Sequence, residues 1–464
     1  MFVTRMPLLV CVSTLIVELL LLFDVSKVAA HGDHGDAESL FQWTTIDYNW
    51  RTKTEREAAL TSGKYVPLQN AINGIRVYDN KIFVTVPRFG DGVPSTLNTL
   101  INSRRPFLSS STVLKPYPSW EMQQEGNCSA FQKVQNIEID PKRGIMFVID
   151  TGGKNYGCPA KLVIYDVKTD VEIHRHIFPD DVVSRGTNYL NDLVMDYVEG
   201  KVEYLYITNT RDYTIVVYDI KADKSYSFTD ASMKPEPGKT GVKVLNDIIE
   251  VNNGVNGIAM SANFDYVYYS PIAGTGLYQI PTKVLRNSSA DFAAHVRKVG
   301  EKPSQGDGMI MSTKNSLYFS VLSKNAVAMW ELHKDVKKYG SEGEVMMDTL
   351  TYEANDPSME WVDSLALDQS GYLWFTTSRL QLYLNNKLTN DTINFRIWRA
   401  FVHEPSYAYF DVNAIKHDTN AHDHHHDHSH HGNGSRLLQS LAMLIVGAWF
   451  SKLVVFITSR GVRT

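Results

Sequence analysis

The stretch 256–280, NGIAMSANFDYVYYSPIAGTGLYQI, decides the fold. It begins with a polar residue and a short apolar alternation, continues through a polar turn around Asn263, and then runs into aromatic and β-branched residues. A second alternating run, 277–280, closes the stretch. Apolar alternation interrupted by turn residues predicts antiparallel strands joined by hairpins. The stretch is therefore predicted to form one small antiparallel sheet.

The same pattern of polar residue, apolar alternation, turn and aromatic strand occurs six times along the chain. The six copies begin at Asn73, Gln135, Asn191, Asn256, Asp307 and Asp363. A propeller is built by such repetition around an axis, so the sequence predicts an all-β fold: a six-bladed β-propeller with four-stranded blades around a central channel. A β-sandwich of many hairpins is the alternative, but it has no reason to repeat one register six times.

Composition describes an ordinary globular chain and excludes some classes of partner and chemistry. Of 464 residues, 43% are hydrophobic and 21% are charged, with a net charge of −5, which suits a protein with a sizeable core. No basic block occurs in the body of the chain, so nucleic acid is not an expected partner. No phosphate loop, zinc-protease helix or nucleophile elbow is found, and no cofactor is implied.

The N-terminus predicts export from the cell. Arg5, an apolar run from Leu8 to Phe23 and small residues up to Ala30 have the order of a signal peptide over 1–30, with an uncleaved signal anchor as the alternative. Cys128 and Cys158 then remain as an even pair, which predicts a disulfide in an oxidising compartment; two buried thiols are the alternative. Glycosylation is predicted at the four sequons, Asn127, Asn287, Asn390 and Asn433.

The C-terminus carries a second targeting feature. The predicted order of segments is an N-terminal segment containing His and Asp at 31–60, the propeller at 61–410, a His-rich linker at 411–435 and a hydrophobic tail at 436–464. The tail is consistent with a glycolipid-anchor signal, a single membrane span or a soluble amphipathic segment. We therefore expect a secreted or extracellular protein, with surface anchoring as one form of it. The sequence does not indicate an oligomeric state.

The starts of the inner strands predict the functional site. In a propeller these strands line the channel, so Asn73, Gln135, Asn191, Asn256, Asp307 and Asp363 are expected to form a polar ring at one mouth, joined by Ser378 from the end of a second strand. Carboxylates among amides suit a small amine or catechol ligand. Strand capping without a ligand and a Ca²⁺ site are the alternatives. Weak metal binding is a further possibility for the C-terminal histidines, His422, His424, His425, His426 and His428.

Several stretches resemble the Yellow and major royal jelly protein family of insects. They include 256–287, LKPYPSW at 114–120, CPAKL at 158–162 and AMWE at 328–331. The resemblance implies a secreted, glycosylated six-bladed propeller. Relatives in this family influence melanin patterning in cuticle, convert dopachrome, or carry amines or lipids.

The chain also departs from the family pattern. Lys142 and Met329 stand where the other two of four family cysteines are expected, and Ser378 and Leu380 stand where amine-binding relatives are expected to have Asn and Phe. The first hypothesis is therefore a ligand-binding propeller. The second is an isomerase-type dopachrome-converting enzyme in which Asp307 or Asp363 removes a proton. The third is a structural component of cuticle or eggshell.

Overall fold

The structure, a computed structural model, describes residues 37–101, 112–153 and 157–410. Within these ranges the strands form six antiparallel four-stranded sheets and one two-stranded hairpin. Each four-stranded sheet is one blade, and in five of them the four strands follow one another in the chain. The first strand, β1 (Glu38–Trp43), instead joins the last blade.

In each of the first three blades, the strands follow the chain from the inner to the outer position. Blade 1 contains β2 (Ile75–Tyr78), β3 (Lys81–Thr85), β4 (Leu97–Ile101) and β5 (Lys115–Pro116). Blade 2 contains β6 (Val134–Asp140), β7 (Ile145–Asp150), β8 (Lys161–Asp166) and β9 (Val171–Ile177). Blade 3 contains β10 (Leu190–Val198), β11 (Lys201–Asn209), β12 (Thr214–Asp219) and β13 (Lys224–Thr229).

A hairpin of β14 (Gly241–Val244) and β15 (Asp247–Glu250) separates these from the last three blades. Blade 4 contains β16 (Val255–Met260), β17 (Tyr266–Pro271), β18 (Gly276–Pro281) and β19 (Arg297–Glu301). Blade 5 contains β20 (Met309–Met311), β21 (Ser316–Val321), β22 (Ala326–Glu331) and β23 (Leu350–Asn355). Blade 6 contains β24 (Val362–Leu367), β25 (Tyr372–Thr377), β26 (Phe395–Phe401) and β1.

The helices lie in the connections. The α-helices of the described part are α1 (Lys53–Thr61), α2 (Thr282–Leu285), α3 (Leu332–Tyr339) and α4 (Leu380–Leu384). Short 3₁₀ turns occur at Pro67–Gln69, Glu121–Gln123, Ala231–Met233, Leu322–Lys324, Glu342–Glu344 and Tyr407–Tyr409. The Thr52 hydroxyl caps α1 by accepting a hydrogen bond from the amide of Glu55, as expected of an N-cap threonine.

The inner strands close into a ring, which confirms the predicted six-bladed propeller. β2 packs against β6, β6 against β10, β10 against β16, β16 against β20, β20 against β24, and β24 returns to β2. The inner strands β6, β16, β20 and β24 are buried along their whole length, because each faces the channel on one edge and is covered by neighbouring blades on both faces. Two facing sheets, the sandwich alternative, would not give this cyclic order.

Blade 6 is closed by both ends of the propeller sequence. β1 pairs with β26, with Phe41 opposite Ile397 and Trp43 opposite Phe395. Trp43 is 1% exposed, so this pairing buries a large aromatic side chain as well as the strand edge. The closing sheet thus includes residues that precede position 61, where the propeller was expected to begin.

Candidate functional site at the channel mouth

A β-bulge at the start of four inner strands shapes the mouth of the channel. The register shifts by one extra inner-strand residue in β6, β10, β16 and β24. A bulge leaves one residue outside the ladder and redirects the side chains beside it. The shifted segments contain the predicted residues Gln135, Asn191, Asn256 and Asp363. The bulges are therefore the local structure that positions most of the polar ring.

The predicted ring residues do come together, and several of them bind one another. The Asn73 side-chain amide donates to the carbonyl oxygen of Gln135 at 3.3 Å. The Asn191 amide donates to Asn256, whose own amide donates to Asp307 Oδ1 at 2.9 Å. These hydrogen bonds link neighbouring blades. Part of the polar ring therefore caps strand ends, which was the alternative to ligand binding in the sequence analysis.

Three members of the predicted set keep buried polar atoms without a partner. Within the described part of the chain, Oδ2 of Asp363 and Oγ of Ser378 make no hydrogen bond. The Gln135 side-chain amide makes none with regular geometry, although it lies close enough to the Tyr189 hydroxyl to lower the pKa of that group. Gln135 and Ser378 are 0% exposed and Asp363 is 4% exposed. A buried polar group without a partner costs about 1–3 kcal/mol. These atoms are therefore the part of the mouth best suited to hydrogen-bond a ligand or an ordered water.

Burial keeps the carboxyl groups of the mouth from ionising at their usual pH. Burial raises the pKa of Asp363 well above its usual range, and the negative charges of Asp307 and Asp192 raise it further. Burial also raises the pKa of Asp307, although hydrogen bonds from Trp361 and Asn256 oppose the shift. The raised pKa favours the protonated form of the Asp363 carboxyl, which can donate a hydrogen bond as well as accept one.

The environment of Asp307 differs from that of Asp363. Both oxygens of Asp307 already accept N–H hydrogen bonds, from Asn256 and, at 2.9 Å, from the Trp361 indole. Among the residues that the structure describes, no group of three or more His, Cys, Asp or Glu side chains is arranged to hold a metal ion.

The aromatic side chain of Tyr189 lies next to the polar ring and has two cations near it. Lys133 Nζ is 4.6 Å from the centre of the Tyr189 ring, and the Arg211 guanidinium is 5.3 Å from the same ring. The charges of Asp307 and Asp363 both act on the Tyr189 hydroxyl, whose pKa is raised chiefly by burial. Tyr189 was not predicted, because it precedes its inner strand and carries no repeat signal.

A second polar layer lies beyond the polar ring, and its central residue, Arg76, was not predicted. Arg76 Nε donates to Glu138 Oε1 at 3.0 Å, and Arg76 also approaches Asp192 at 3.6 Å and donates to the Leu365 carbonyl at 3.0 Å. One side chain from blade 1 thus reaches blades 2, 3 and 6. Burial raises the pKa of Asp192 to about 7, against the opposing effect of Arg76.

The residues at the ends of the other second strands have structural partners. Arg88 donates to five backbone carbonyl oxygens, and Asp150 pairs with Lys161 at 2.8 Å. Asn209, Ser270 and Ser320 each hydrogen-bond backbone groups nearby. Leu380, at the start of α4, is buried. Among these strand ends, Ser378 is the one that the structure leaves unpartnered in the described residues.

The disulfide prediction is confirmed, with Cys128 bonded to Cys158. The sequon residues Asn127, Asn287 and Asn390 are exposed, and their glycosylation stays a prediction. The predictions for the two termini concern residues outside the described ranges: the signal peptide at 1–30, the histidines after 411, Asn433 and the tail at 436–464. In the part of the chain that is described, no helix is long and apolar enough to cross a membrane.

A cleft of about 860 Å³ on the side of blade 1 was not predicted. Its walls include Trp50 and Trp120, whose rings stack at 4.8 Å, together with the buried Arg88. The sequon residue Asn127 lies at its edge. The cleft is separate from the polar ring, since none of the ring residues lines it.

Comparison with known proteins gives a consistent picture. The family described as major royal jelly protein matches residues 132–406. Major royal jelly protein 9 of Apis mellifera is 26% identical over 376 residues, covering 78% of this chain and 87% of that protein.

Two further relatives come from flies. Protein yellow of Drosophila erecta is 28% identical over 381 residues, covering 78% of this chain and 68% of that protein. Dopaminechrome tautomerase of Drosophila melanogaster is 25% identical over 393 residues, covering 79% of this chain and 82% of that protein.

Proposed function

Because the chain belongs to the major royal jelly protein family, we propose that it is a secreted or surface-anchored propeller that binds a small aromatic amine or catechol in its channel mouth. The observation that carries the proposal is the set of buried, unpartnered polar atoms on Gln135, Asp363 and Ser378. Ligand sites combine apolar walls with a few convergent polar groups of this kind.

The chemistry of the mouth favours a cation with hydroxyl groups. An ammonium group beside Asp363 stabilises the carboxylate, so the proton that burial keeps on this residue leaves when the ligand binds. The Gln135 amide offers both a donor and an acceptor to catechol hydroxyls. The Tyr189 ring supplies an aromatic surface next to the same groups.

Calorimetric titration with dopamine at pH 6, 7 and 8 tests the proposal. We expect saturable binding with a release of about one proton, and a Kd that falls by up to about tenfold per pH unit until the pH passes the folded pKa of Asp363. Asp363→Asn should bind at least about tenfold more weakly at pH 8, while Asp181→Asn, on the exposed surface, should bind as the wild type does. No heat, or equal Kd values in all three proteins, would refute the proposal.

Export and a link to pigment chemistry are parts of the same proposal. The Cys128–Cys158 disulfide suits an oxidising compartment, and the three described sequons are exposed to modification. Protein yellow is among the relatives, which supports a connection with melanin and cuticle pigmentation. N-terminal sequencing of protein recovered from the medium of secreting insect cells should give a start near His31. Retention of Met1 would contradict cleavage.

A second candidate is an isomerase-type enzyme acting on aminochromes. It is favoured by the relative named dopaminechrome tautomerase and by a carboxyl with a raised pKa in a buried polar site. Aminochromes rearrange spontaneously, so the assay must compare wild type, Asp363→Asn and heat-killed protein. A faster rate in the wild type alone supports the enzyme. Equal rates in all three dismiss it, and the absence of both binding and turnover leaves a structural role.

A further inference from the structure

The cleft on the side of blade 1 has an aromatic wall that none of the functions above uses. Trp50 and Trp120 line it, and both are half-buried. The Trp50 indole N–H donates to Asp47 Oδ1 at 2.9 Å, and the Trp120 indole N–H donates to the Asn49 carbonyl at 3.1 Å. Because both N–H groups have protein partners, the two rings are held in place and offer the cleft apolar ring surface.

The other walls of the cleft are polar and balanced in charge. Lys64 and Arg88 are the cations that line it, and Asp91 and Glu125 are the anions. The five hydrogen bonds of Arg88 to backbone carbonyls use all its donors, so it has none left for a ligand. The volume of about 860 Å³ lies in the range of small-ligand sites. Aromatic surface beside amides, with little net charge, suits a sugar, which packs C–H groups on the ring and hydrogen-bonds through its hydroxyls.

The sequon residue Asn127 belongs to a loop that is held at several points. Gln132, which is 2% exposed, donates through Nε2 to the carbonyls of Asn127 at 2.8 Å and Gln124 at 3.2 Å. Its Oε1 accepts from the backbone N–H of Gly126 at 2.8 Å. The disulfide at Cys128 ties the next residue of the loop. Asn127 therefore has a defined position at the edge of the cleft.

The Asn127 side chain is directed toward the cleft wall. Its Oδ1 accepts from the backbone N–H of Ser129 at 3.1 Å. Its Nδ2, the atom that carries an N-linked glycan, donates to Oε1 of Gln124 at 3.4 Å, and Gln124 lines the cleft. A Cβ atom added at Gly126, another lining residue, would meet no atom within 4 Å. A sugar attached to Nδ2 therefore starts beside the cleft and has open space there.

We propose that the N-linked glycan of Asn127 folds back over this cleft and packs its first N-acetylglucosamine units on the Trp50–Trp120 pair. The occupant of the cleft is thus a carbohydrate that the chain itself carries. This site is independent of the ligand site at the channel mouth, because no ring residue lines the cleft. The packed glycan shields two tryptophan rings that are otherwise partly exposed to solvent.

Attachment takes one group transfer from a donor outside the chain, an oligosaccharide linked to a lipid diphosphate. Asn127 Nδ2 forms a bond to C1 of the first sugar while the bond between C1 and the diphosphate oxygen breaks. The lipid diphosphate leaves with the electron pair of that bond, and the amide nitrogen loses one proton. No oxidant or reductant is needed. Asn127 and Ser129, the first and third residues of the sequon, are both exposed.

Native deglycosylation of the full chain, secreted from mammalian cells, tests the proposal. Peptide mapping measures occupancy at the three described sequons before and after treatment with peptide N-glycosidase. In the folded wild type, release at Asn127 should be at least about tenfold slower than at Asn287 and Asn390, which are exposed and lie outside the cleft lining. After denaturation the three sites should be released alike. Trp120→Ala should bring native release at Asn127 to within about twofold of the other two sites.

Tryptophan fluorescence gives a second measurement. Among the tryptophans of the described residues, Trp50 and Trp120 are the ones that are not buried. Asn127→Gln removes the glycan and should raise the acrylamide quenching constant at least about twofold, because the ring surfaces lose their cover. Asn287→Gln, which removes a glycan away from the cleft, should be quenched as the wild type is.

The outcomes separate this site from the proposed function. Asn127 without a glycan in the secreted protein overturns the proposal, and so does release there as fast as at Asn287 and Asn390. Slow release that Trp120→Ala leaves unchanged, or equal quenching in all the proteins, overturns the packing on the tryptophan pair. None of these results affects the dopamine titration. Because occupancy and release are measured in the wild type, a variant that fails to fold does not remove the test.

Discussion

Replacing Asp363 with asparagine should make the protein's stability less sensitive to pH. The wild-type carboxyl is 4% exposed and its pKa is raised by burial, so the folded state keeps a proton that the unfolded chain loses above about pH 4. A group whose folded pKa is raised contributes stability that is lost as the pH rises toward that folded pKa. The wild type therefore loses about 1.4 kcal/mol per pH unit from this residue, and asparagine loses none.

The expected magnitude follows from that slope. Between pH 5 and pH 7, the free energy of unfolding of Asp363→Asn should rise relative to wild type, by up to about 2.8 kcal/mol over the part of this window that lies below the folded pKa of Asp363. Urea denaturation at pH 5, 6 and 7 measures it. Any effect of the new amide that does not depend on pH shifts the free energy of unfolding equally at all three pH values. It therefore leaves the change of this free energy with pH unaltered. Asp181→Asn, an exposed control, should follow the wild type. A difference between Asp363→Asn and wild type that does not change with pH would refute the reasoning.

Three further perturbations test the scaffold around the site by urea denaturation. Arg76→Met leaves the buried carboxylates of Glu138 and Asp192 without their cation and should lower the free energy of unfolding by about 3–5 kcal/mol. A loss under about 1 kcal/mol would contradict the role of Arg76 in joining the blades. The double change Cys128→Ser with Cys158→Ser opens a loop with a separation of 30 residues and should cost about 3–4 kcal/mol, whereas unchanged stability would contradict this. Tyr407→Phe removes the acceptor of the Met195 amide and should cost about 1 kcal/mol; no loss would show that water replaces it.

The fold was predictable because its signal is local and repeated. Each blade contains a hairpin of adjacent strands, such as β16 and β17, and the polar start of each inner strand marks the repeat. The positions of the polar ring residues were predicted from the same repeat. The closing strand β1 was missed because its partner β26 lies more than 350 residues away, and no local pattern in residues 38–43 identifies that partner.

The finer structure of the site depends on contacts between blades. A bulge such as the one between Val362 and Leu365 changes which side chains face the channel, and strict alternation does not reveal it. In the sequence, Arg76 has the pattern of an ordinary strand residue. Its contacts with blades 2, 3 and 6 appear only in the folded structure. These features needed three-dimensional packing to be recognised.

A crystal structure of the protein with dopamine at pH 8 tests the central claim most directly. The account predicts ligand density at the channel mouth, with the ammonium group beside Asp363 and the catechol hydroxyls within hydrogen-bond distance of Gln135 or Ser378. Density confined to the cleft beside Trp50 and Trp120, with no ligand at the ring, would contradict it.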